Sequence, residues 1–313
     1  MLGPALLAIV ILRVPDRAGV VAVVASAAPL PLVAAVLLNL VNIHLKVVRW
    51  DVLLATRGIR YPKRRAWGAF LTSLYVGMLT PGRVGDALRA QYLRHDLDVP
   101  YAEGIASIVM DRLCDLYVLA AFVAYAAVRY APVLAGKLAW ITWAGVAGVV
   151  ALPLLLVVPG VADRALALAW KKVARGESAD GLPRFLEALR ANVGRSLLVT
   201  IPLTVATFLV NYVQGWLIAR AIGLDLALVD VACLLSITSL LGLLPVSVSG
   251  VGVRELFFAL IFPFLGLPAA SGVSFGLLVF FVIYLVIVAI GFISWQIAPP
   301  PSGSRRPDAA SAS

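Results

Sequence analysis

Residues 66–95 read AWGAFLTSLYVGMLTPGRVGDALRAQYLRH, and whether this stretch crosses a membrane decides how everything around it is arranged. Its apolar part lasts about 15 residues, short of the roughly 20 that a helix needs to span the hydrocarbon. It stops at Pro81-Gly82, and charges of both signs follow. Unwound backbone at membrane depth is tolerated only where protein or a wet cavity surrounds it, so a re-entrant hairpin fits better than a crossing.

The membrane follows from composition. Of 313 residues, 62% are hydrophobic and 13% charged, with a mean hydropathy of +1.00. A soluble domain keeps about a quarter of its residues charged, so this chain lacks the polar surface to cover a water-facing globule. Long apolar runs exclude an outer-membrane barrel, whose strands alternate every second residue, and leave an all-α polytopic bundle of about 6–8 membrane segments. The net charge of +10 would suggest nucleic acid in a soluble protein. In a membrane protein it reads first as positive-inside bias, and nucleic acid is not expected as a partner. Cys114 and Cys233 lie in separate apolar runs, and only His44 and His95 are available, so neither a disulfide framework nor a metal or redox centre is indicated. No cofactor is expected.

Outward from the hairpin, a helix is read over residues 27–48, followed by a loop carrying Lys46, Arg49, Arg57, Arg60, Lys63, Arg64 and Arg65 against the single acid Asp51. Helices are read over 104–130 and 138–158. An amphipathic stretch from 163 to 195 then carries Arg164, Lys171, Lys172, Arg175, Arg184, Arg190 and Arg195 against four acids. Both basic stretches belong in the cytoplasm, and they share a side only if the 66–81 segment does not cross. A helix over 196–222 leads to a second interrupted apolar stretch, VDVACLLSITSLLGLLPVSVSGVGVRELFFALIFPFLGL, and the last helix is read over 271–297. Two broken hairpins entering from opposite faces suggest an inverted repeat, with a binding site near the midplane. Residues 1–297 are read as one transmembrane domain containing a cytoplasmic amphipathic segment at 166–195, and 298–313 as a disordered tail. The opening run, Leu2–Leu12, is too short to span, and a coding start further upstream would lengthen it.

No nucleotide, zinc-protease or nucleophile-elbow motif is present in the sequence. The candidate residues gather at the interruptions. Gly82, Gly85, Gly250 and Gly252 would let the chain reverse and expose backbone groups, or simply make turns. Asp86 and Arg89 are spaced to share a helix face, and a helix starting near Val84 would aim its amides, with Arg83, at a phosphate; a solvated loop is the alternative. Asp111 and Asp115 share one helical face, with Arg112 beside them. They either line a polar path or form a structural ion pair to Arg83 or Arg89. Arg254 and Glu255 open a helix, where Glu255 serves as a cap or the pair as a gate or headgroup contact. Asn39 with Asn42, and Asn211 with Gln214, suit interhelical hydrogen bonds. Trp50, Trp67 and Trp295 read as interfacial anchors.

Taken in order, VVRWDVLLATRG, LTPGRVGDALR, MDRLCDL and LLPVSVSGVGVRE resemble the lysylphosphatidylglycerol synthase transmembrane-region family, also called flippase-like or uncharacterised family 0104, over residues 38–297. The resemblance implies a flippase-like domain of the cell membrane. Its best-understood members move aminoacylated phosphatidylglycerol between leaflets, and others are linked to polyprenyl-phosphate sugars or surface glycans. The family's first-hairpin pattern falls on Pro81, Gly82, Arg83, Gly85 and Asp86, its Asp-Arg pair with following Asp on Asp111, Arg112 and Asp115, and its last motif on Gly250, Gly252, Arg254 and Glu255. Ser249 stands where a Pro or Gly is common in the family. The chain ends soon after its last helix, so lysyl transfer is not expected.

The expected activity is translocation of a phospholipid or a polyprenyl-phosphate-linked lipid. The expected site residues are Arg83, Gly85, Asp86, Arg89, Asp111, Arg112, Asp115, Gly250, Gly252, Arg254 and Glu255, with none catalytic. A membrane lipid with a phosphate headgroup, a second copy of the chain, and a lipid- or glycan-synthesising enzyme are the expected partners. The alternatives are a membrane-embedded lipid or glycolipid transferase, for which Asp86 or Asp111 would be the base, and a scaffold of a surface-glycan pathway.

Overall fold

The computed structural model describes residues 17–131, 140, 143–148, 150–151, 181–243 and 252–301. Among them the chain is helical throughout, with no strand. A short helix α1 (Arg17–Ala25) precedes α2 (Pro29–Ala55), which runs antiparallel to α7 (Leu197–Ala221) along its whole length. The pairing is held by polar side chains on apolar helices: Asn42 Nδ2 donates to the Thr207 carbonyl at 2.8 Å, and Gln214 Nε2 to the Ala35 carbonyl at 2.8 Å. Each satisfies a backbone oxygen that lipid could not, as read from sequence for Asn42 and Gln214. Asn39 reaches elsewhere, donating to the Val282 carbonyl at 2.8 Å.

The first hairpin rises on α3 (Lys63–Leu79), reverses in a 3-10 turn (Pro81–Ala87) and returns on α4 (Leu88–Leu97). At ~1.5 Å per residue, α3 is about 25 Å long, enough to reach deep into a bilayer without leaving it. The turn folds back onto α3, and Gly85 lies so close to the backbone of Val76 and Gly77 that a Cβ there has no room. Both arms end together: Tyr61 Oη donates to Asp96 Oδ2 at 2.7 Å. The hairpin therefore enters and leaves at one end of the bundle. α4 packs on α5 (Tyr101–Arg129) where Gly104 meets Ala90, and α5 carries the chain to the opposite end.

The amphipathic helix α6 (Gly181–Ala191) seals Phe185, Leu186 and Leu189 against α5 and leaves Arg184 and Glu187 exposed. Arg57 bridges to Glu187 at 3.1 Å and to Glu103 at 3.6 Å, so the basic segments after α2 and around α6 share one end of the bundle.

At the other end, Arg129 pairs with Asp230 at 2.7 Å. There the second hairpin begins, with α8 (Leu228–Leu241) entering and α9 (Val253–Ile261) returning. α9 packs on α10 (Ala269–Val279) through Gly272 and Gly276, which lie against Phe258 and Glu255. A π-helical turn (Phe280–Leu285) then leads into α11 (Val286–Ile297), which packs on α3: Gly291 abuts Leu71 and Tyr75, and Ser294 Oγ donates to the Gly68 carbonyl at 3.2 Å. The two hairpins thus enter from opposite ends. Residues 29–55, 197–221 and 269–297 are the three described helices long and apolar enough to cross a membrane.

The structure departs from expectation in four places. The helix expected over 27–48 continues to Ala55, so Lys46 and Arg49 lie within it and not in a loop. Trp50 is fully buried, donating from Nε1 to Ser107 Oγ at 3.1 Å, and is no interfacial anchor. A 3-10 turn occupies residues 81–87, so the α-helix starts at Leu88 and not near Val84. The left-handed backbone at the tip belongs to Arg83 (φ 56°), not to Gly82 or Gly85. The run 2–12, most of 138–158, the stretch 163–180, Gly250 and residues 302–313 lie outside the described residues. The first residues after α11 dock on the hairpin, where Tyr92 Oη donates to the Ala298 carbonyl and Gln91 Nε2 to the Pro301 carbonyl, both at 2.6 Å.

Candidate functional site

Three elements converge at the depth of the first hairpin tip. α5 presents Asp111 and Asp115 one turn apart on one face, and the Arg49 guanidinium of α2 lies across both. Its Nε and Nη2 approach Asp111 Oδ1 at 2.8 and 2.7 Å, and its Nη1 meets Asp115 Oδ1 at 2.6 Å. Nη1 also donates to Thr204 Oγ1 on α7 at 2.8 Å. The side chain of Arg49 is 0% exposed and that of Asp111 1%. A planar fork with several donors is the cation best suited to hold two carboxylates at once.

The hairpin supplies the rest. Arg89 Nη1 donates to Asp111 Oδ2 at 3.1 Å, and its guanidinium lies over the rings of Phe70 at 4.6 Å and Trp50 at 5.3 Å. These faces stabilise a cation removed from water. Asp86 pairs outward with Arg112 Nη2 at 2.7 Å, and Arg112 Nη1 lies 3.4 Å from Asp115 Oδ2. Asp86 and Arg89, spaced to share a face, each bind α5 instead of one another. Every carboxylate of the cluster is engaged by an arginine, so hairpin, α5 and α2 are tied by charge.

The cluster is sealed on one side and open on the other. Arg49, Arg89 and Asp111 are buried, whereas the side chains of Arg112 and Asp115 keep 27% and 20% exposure. Half-buried Lys46 and Arg83 stand at this open edge, within electrostatic reach of each other, of Arg112 and of Asp115. Neither has a hydrogen-bonded or ion-paired side-chain partner among the described residues. Arg83 holds a positive φ that costs a non-glycine residue roughly 1–2 kcal/mol. Strain of this kind collects where the surroundings fix a residue for use.

The second hairpin carries a smaller pair. Gly252 takes a positive φ of 86°, and its amide donates to Glu255 Oε2 at 2.6 Å, so Glu255 does cap α9. The other oxygen of Glu255 holds Arg254 Nη2 at 2.6 Å. Both side chains are buried, and the Arg254 guanidinium lies over Tyr284 at 5.1 Å and Phe280 at 5.6 Å, side chains of the π-helical turn. Tyr284 is also within electrostatic reach of Arg83. Nine of the expected site residues thus fall into these two groups around the hairpins, as does Gly85 through its close approach, while Gly250 is outside the described residues.

Sequence reading missed Arg49 and Lys46. Their signal was present: Asn39, Asn42, Lys46 and Arg49 recur at helical spacing on one face. At the base of the hairpin, burial pushes the Tyr61 phenol well above its ordinary range, reinforced by Asp96. Burial also raises Asp96, but hydrogen bonds from His95 and Tyr61, with Arg65 nearby, outweigh it and hold this carboxyl below the usual range. Two open surface clefts of about 670 and 630 Å³ lie away from the cluster, one lined by α6 and Arg57, the other by Trp216, Arg220 and Asp225.

The described residues are all-helical, include three helices long and apolar enough to cross a membrane, and bury compensated charge between interrupted hairpins, which defines a helical membrane protein. The chain belongs to the lysylphosphatidylglycerol synthase TM region family, which matches residues 1–291. It is also similar to glycosyltransferase AglD of Haloferax volcanii, 30% identical over 105 residues, covering 34% of this chain and 17% of that protein. The chain therefore spans less than a fifth of the length of that curated relative.

Proposed function

We propose that this protein moves a lipid with a phosphate-bearing headgroup between the leaflets of the cytoplasmic membrane, in which it is a multi-pass protein. The observation that carries this reading is the open edge of the charge cluster. Arginines and a lysine gather beside the tip of a hairpin that enters and leaves at one end of the bundle, and a second hairpin from the opposite end holds the buried pair of Arg254 and Glu255. Charged groups inside a membrane bundle face a polar path or one another, not lipid. The basic segments gathered at one end mark the cytoplasmic side. A headgroup would meet Arg83 and Arg112, while the acyl chains stay in the bilayer. Access would alternate by movement of the hairpins against the α2–α7 pair, without a nucleotide. A second copy of the chain or a lipid- or glycan-synthesising enzyme would be its protein partner.

Reconstitution tests this directly. Vesicles containing the full chain should equilibrate a fluorescent phosphate-headgroup lipid between leaflets faster than protein-free vesicles, and equal rates would remove the reading.

The likeness to a glycosyltransferase favours a second reading, in which the membrane region serves transfer of a group to a lipid. Asp86 is then the base to consider, since its buried Oδ1 has no hydrogen-bond partner among the described residues, whereas both oxygens of Asp111 are taken by arginine. Appearance of a chemically modified lipid in the same vesicles would favour transfer over translocation.

A further inference from the structure

We infer that the open edge of the cluster selects a headgroup carrying two negative charges, a lipid phosphate monoester, over a phosphodiester or a headgroup bearing a cation. This deepens the proposed lipid transport and rests on it. Five cations meet at the tip, Lys46, Arg49, Arg83, Arg89 and Arg112, against three carboxylates, Asp86, Asp111 and Asp115. Among the described residues two positive charges are left over, and the ion pairs show which they are. Arg49, Arg89 and Arg112 each hold a carboxylate at 3.1 Å or less. Lys46 and Arg83 hold none among the described residues, and both stand at the half-exposed side.

Their placement is fixed by their neighbours. Lys46 lies one turn before Arg49, which α5 clamps through Asp111 and Asp115. Arg83 lies three residues before Asp86, which α5 clamps through Arg112. The same ion pairs that join the elements therefore bring two unpaired cations to one opening. Uncompensated charge is costly away from water, and a ligand that restores neutrality gains the most. A phosphate monoester above its second ionisation, near pH 6, supplies that charge with three acceptor oxygens. A diester supplies one charge. A headgroup ammonium would need an accessible carboxylate oxygen, and Asp111 and Asp115 already accept from arginine on both oxygens, while Asp86 holds Arg112 through Oδ2 and keeps Oδ1 buried against Gly77. The paired Arg254 and Glu255 of the second hairpin add no net charge.

The test is binding of short-chain phosphatidic acid, phosphatidylglycerol, lysyl-phosphatidylglycerol and inorganic phosphate to the purified full chain at about pH 7, above the monoester's second ionisation near pH 6. Phosphatidic acid should bind about tenfold more tightly than phosphatidylglycerol. Lys46→Gln and Arg83→Gln should each erase most of that preference, and Arg83→Lys should retain part of it. Thermal melting of each variant shows that it is folded, which neither unpaired side chain should prevent. Equal or tighter binding of phosphatidylglycerol or of the lysyl lipid overturns the inference and leaves lipid transport standing. Inorganic phosphate binding as tightly as phosphatidic acid supports the two-charge site but removes the lipid reading. Absence of binding by all four overturns both.

Discussion

At the scale of single residues, Arg49 and Arg83 illustrate two uses of charge in one cluster, the first buried and the second at its open edge. Arg49 holds Asp111 and Asp115 in a closed environment, so removing it strands two carboxylates. Arg49→Leu should cost about 3–5 kcal/mol of stability, read as a fall in melting temperature in detergent, and a loss of less than about 1 kcal/mol would show that the pair is not buried as described. Arg83 has no such partner among the described residues and carries backbone strain. Arg83→Gly should leave the melting temperature unchanged or slightly higher, by up to about 1 kcal/mol, while lowering lipid translocation. The sequence displayed Asp111, Arg112 and Asp115 as an isolated charged turn within an apolar helix, and Pro81-Gly82 marked Arg83. The pairing of α5 with Arg89 was one of the alternatives the sequence offered, and Asp111 makes it; the pairing of Asp86 with Arg112 was hidden, because they are 26 positions apart and local spacing suggested Asp86 with Arg89. Arg49 was hidden differently, as one of seven basic residues that composition assigned to a loop.

At the scale of elements, the first hairpin depends on a close approach. Gly85→Ala would place a Cβ against the backbone of Gly77 and Val76, which cannot yield as a side chain can. The expected loss is about 1–3 kcal/mol by thermal melting, with loosened pairing between α3 and the turn. The base of the hairpin should be acid-sensitive. Because Asp96 is held below the ordinary carboxylate range, its contribution is complete above about pH 4 and is lost as pH falls through its lowered value. Asp96→Asn should flatten that acid limb in melting curves taken from pH 7 to 3. Both hairpins were legible because Pro, Gly and Ser interrupt apolar runs too short to span. The 3-10 turn was not, since residues 81–87 fit the start of an α-helix equally well. The extension of α2 past Val48 was obscured because Lys46, Arg49 and Asp51 read as the start of a charged loop, whereas Arg49 is sealed against α5.

At the scale of the whole molecule, opposed hairpins and basic segments gathered at one end define a topology. Arg60→Cys and Arg94→Cys, at the two ends of the first hairpin, should react with a membrane-impermeant thiol reagent from the same side, and Asp225→Cys from the other. The native Cys114 and Cys233 are buried and should stay silent. Labelling of the first two from opposite sides would mean that the hairpin crosses. The parity of basic segments makes this arrangement readable from the sequence. The joining of hairpin, α5 and α2 into one charged cluster was not readable, because it arises from packing between distant segments. The central claim is that this cluster handles the lipid headgroup. Its most direct test is the rate of leaflet exchange of a phosphate-headgroup lipid in vesicles holding Arg83→Ala protein: the account predicts a fall of about tenfold or more at normal folding, and an unchanged rate from folded protein would contradict it.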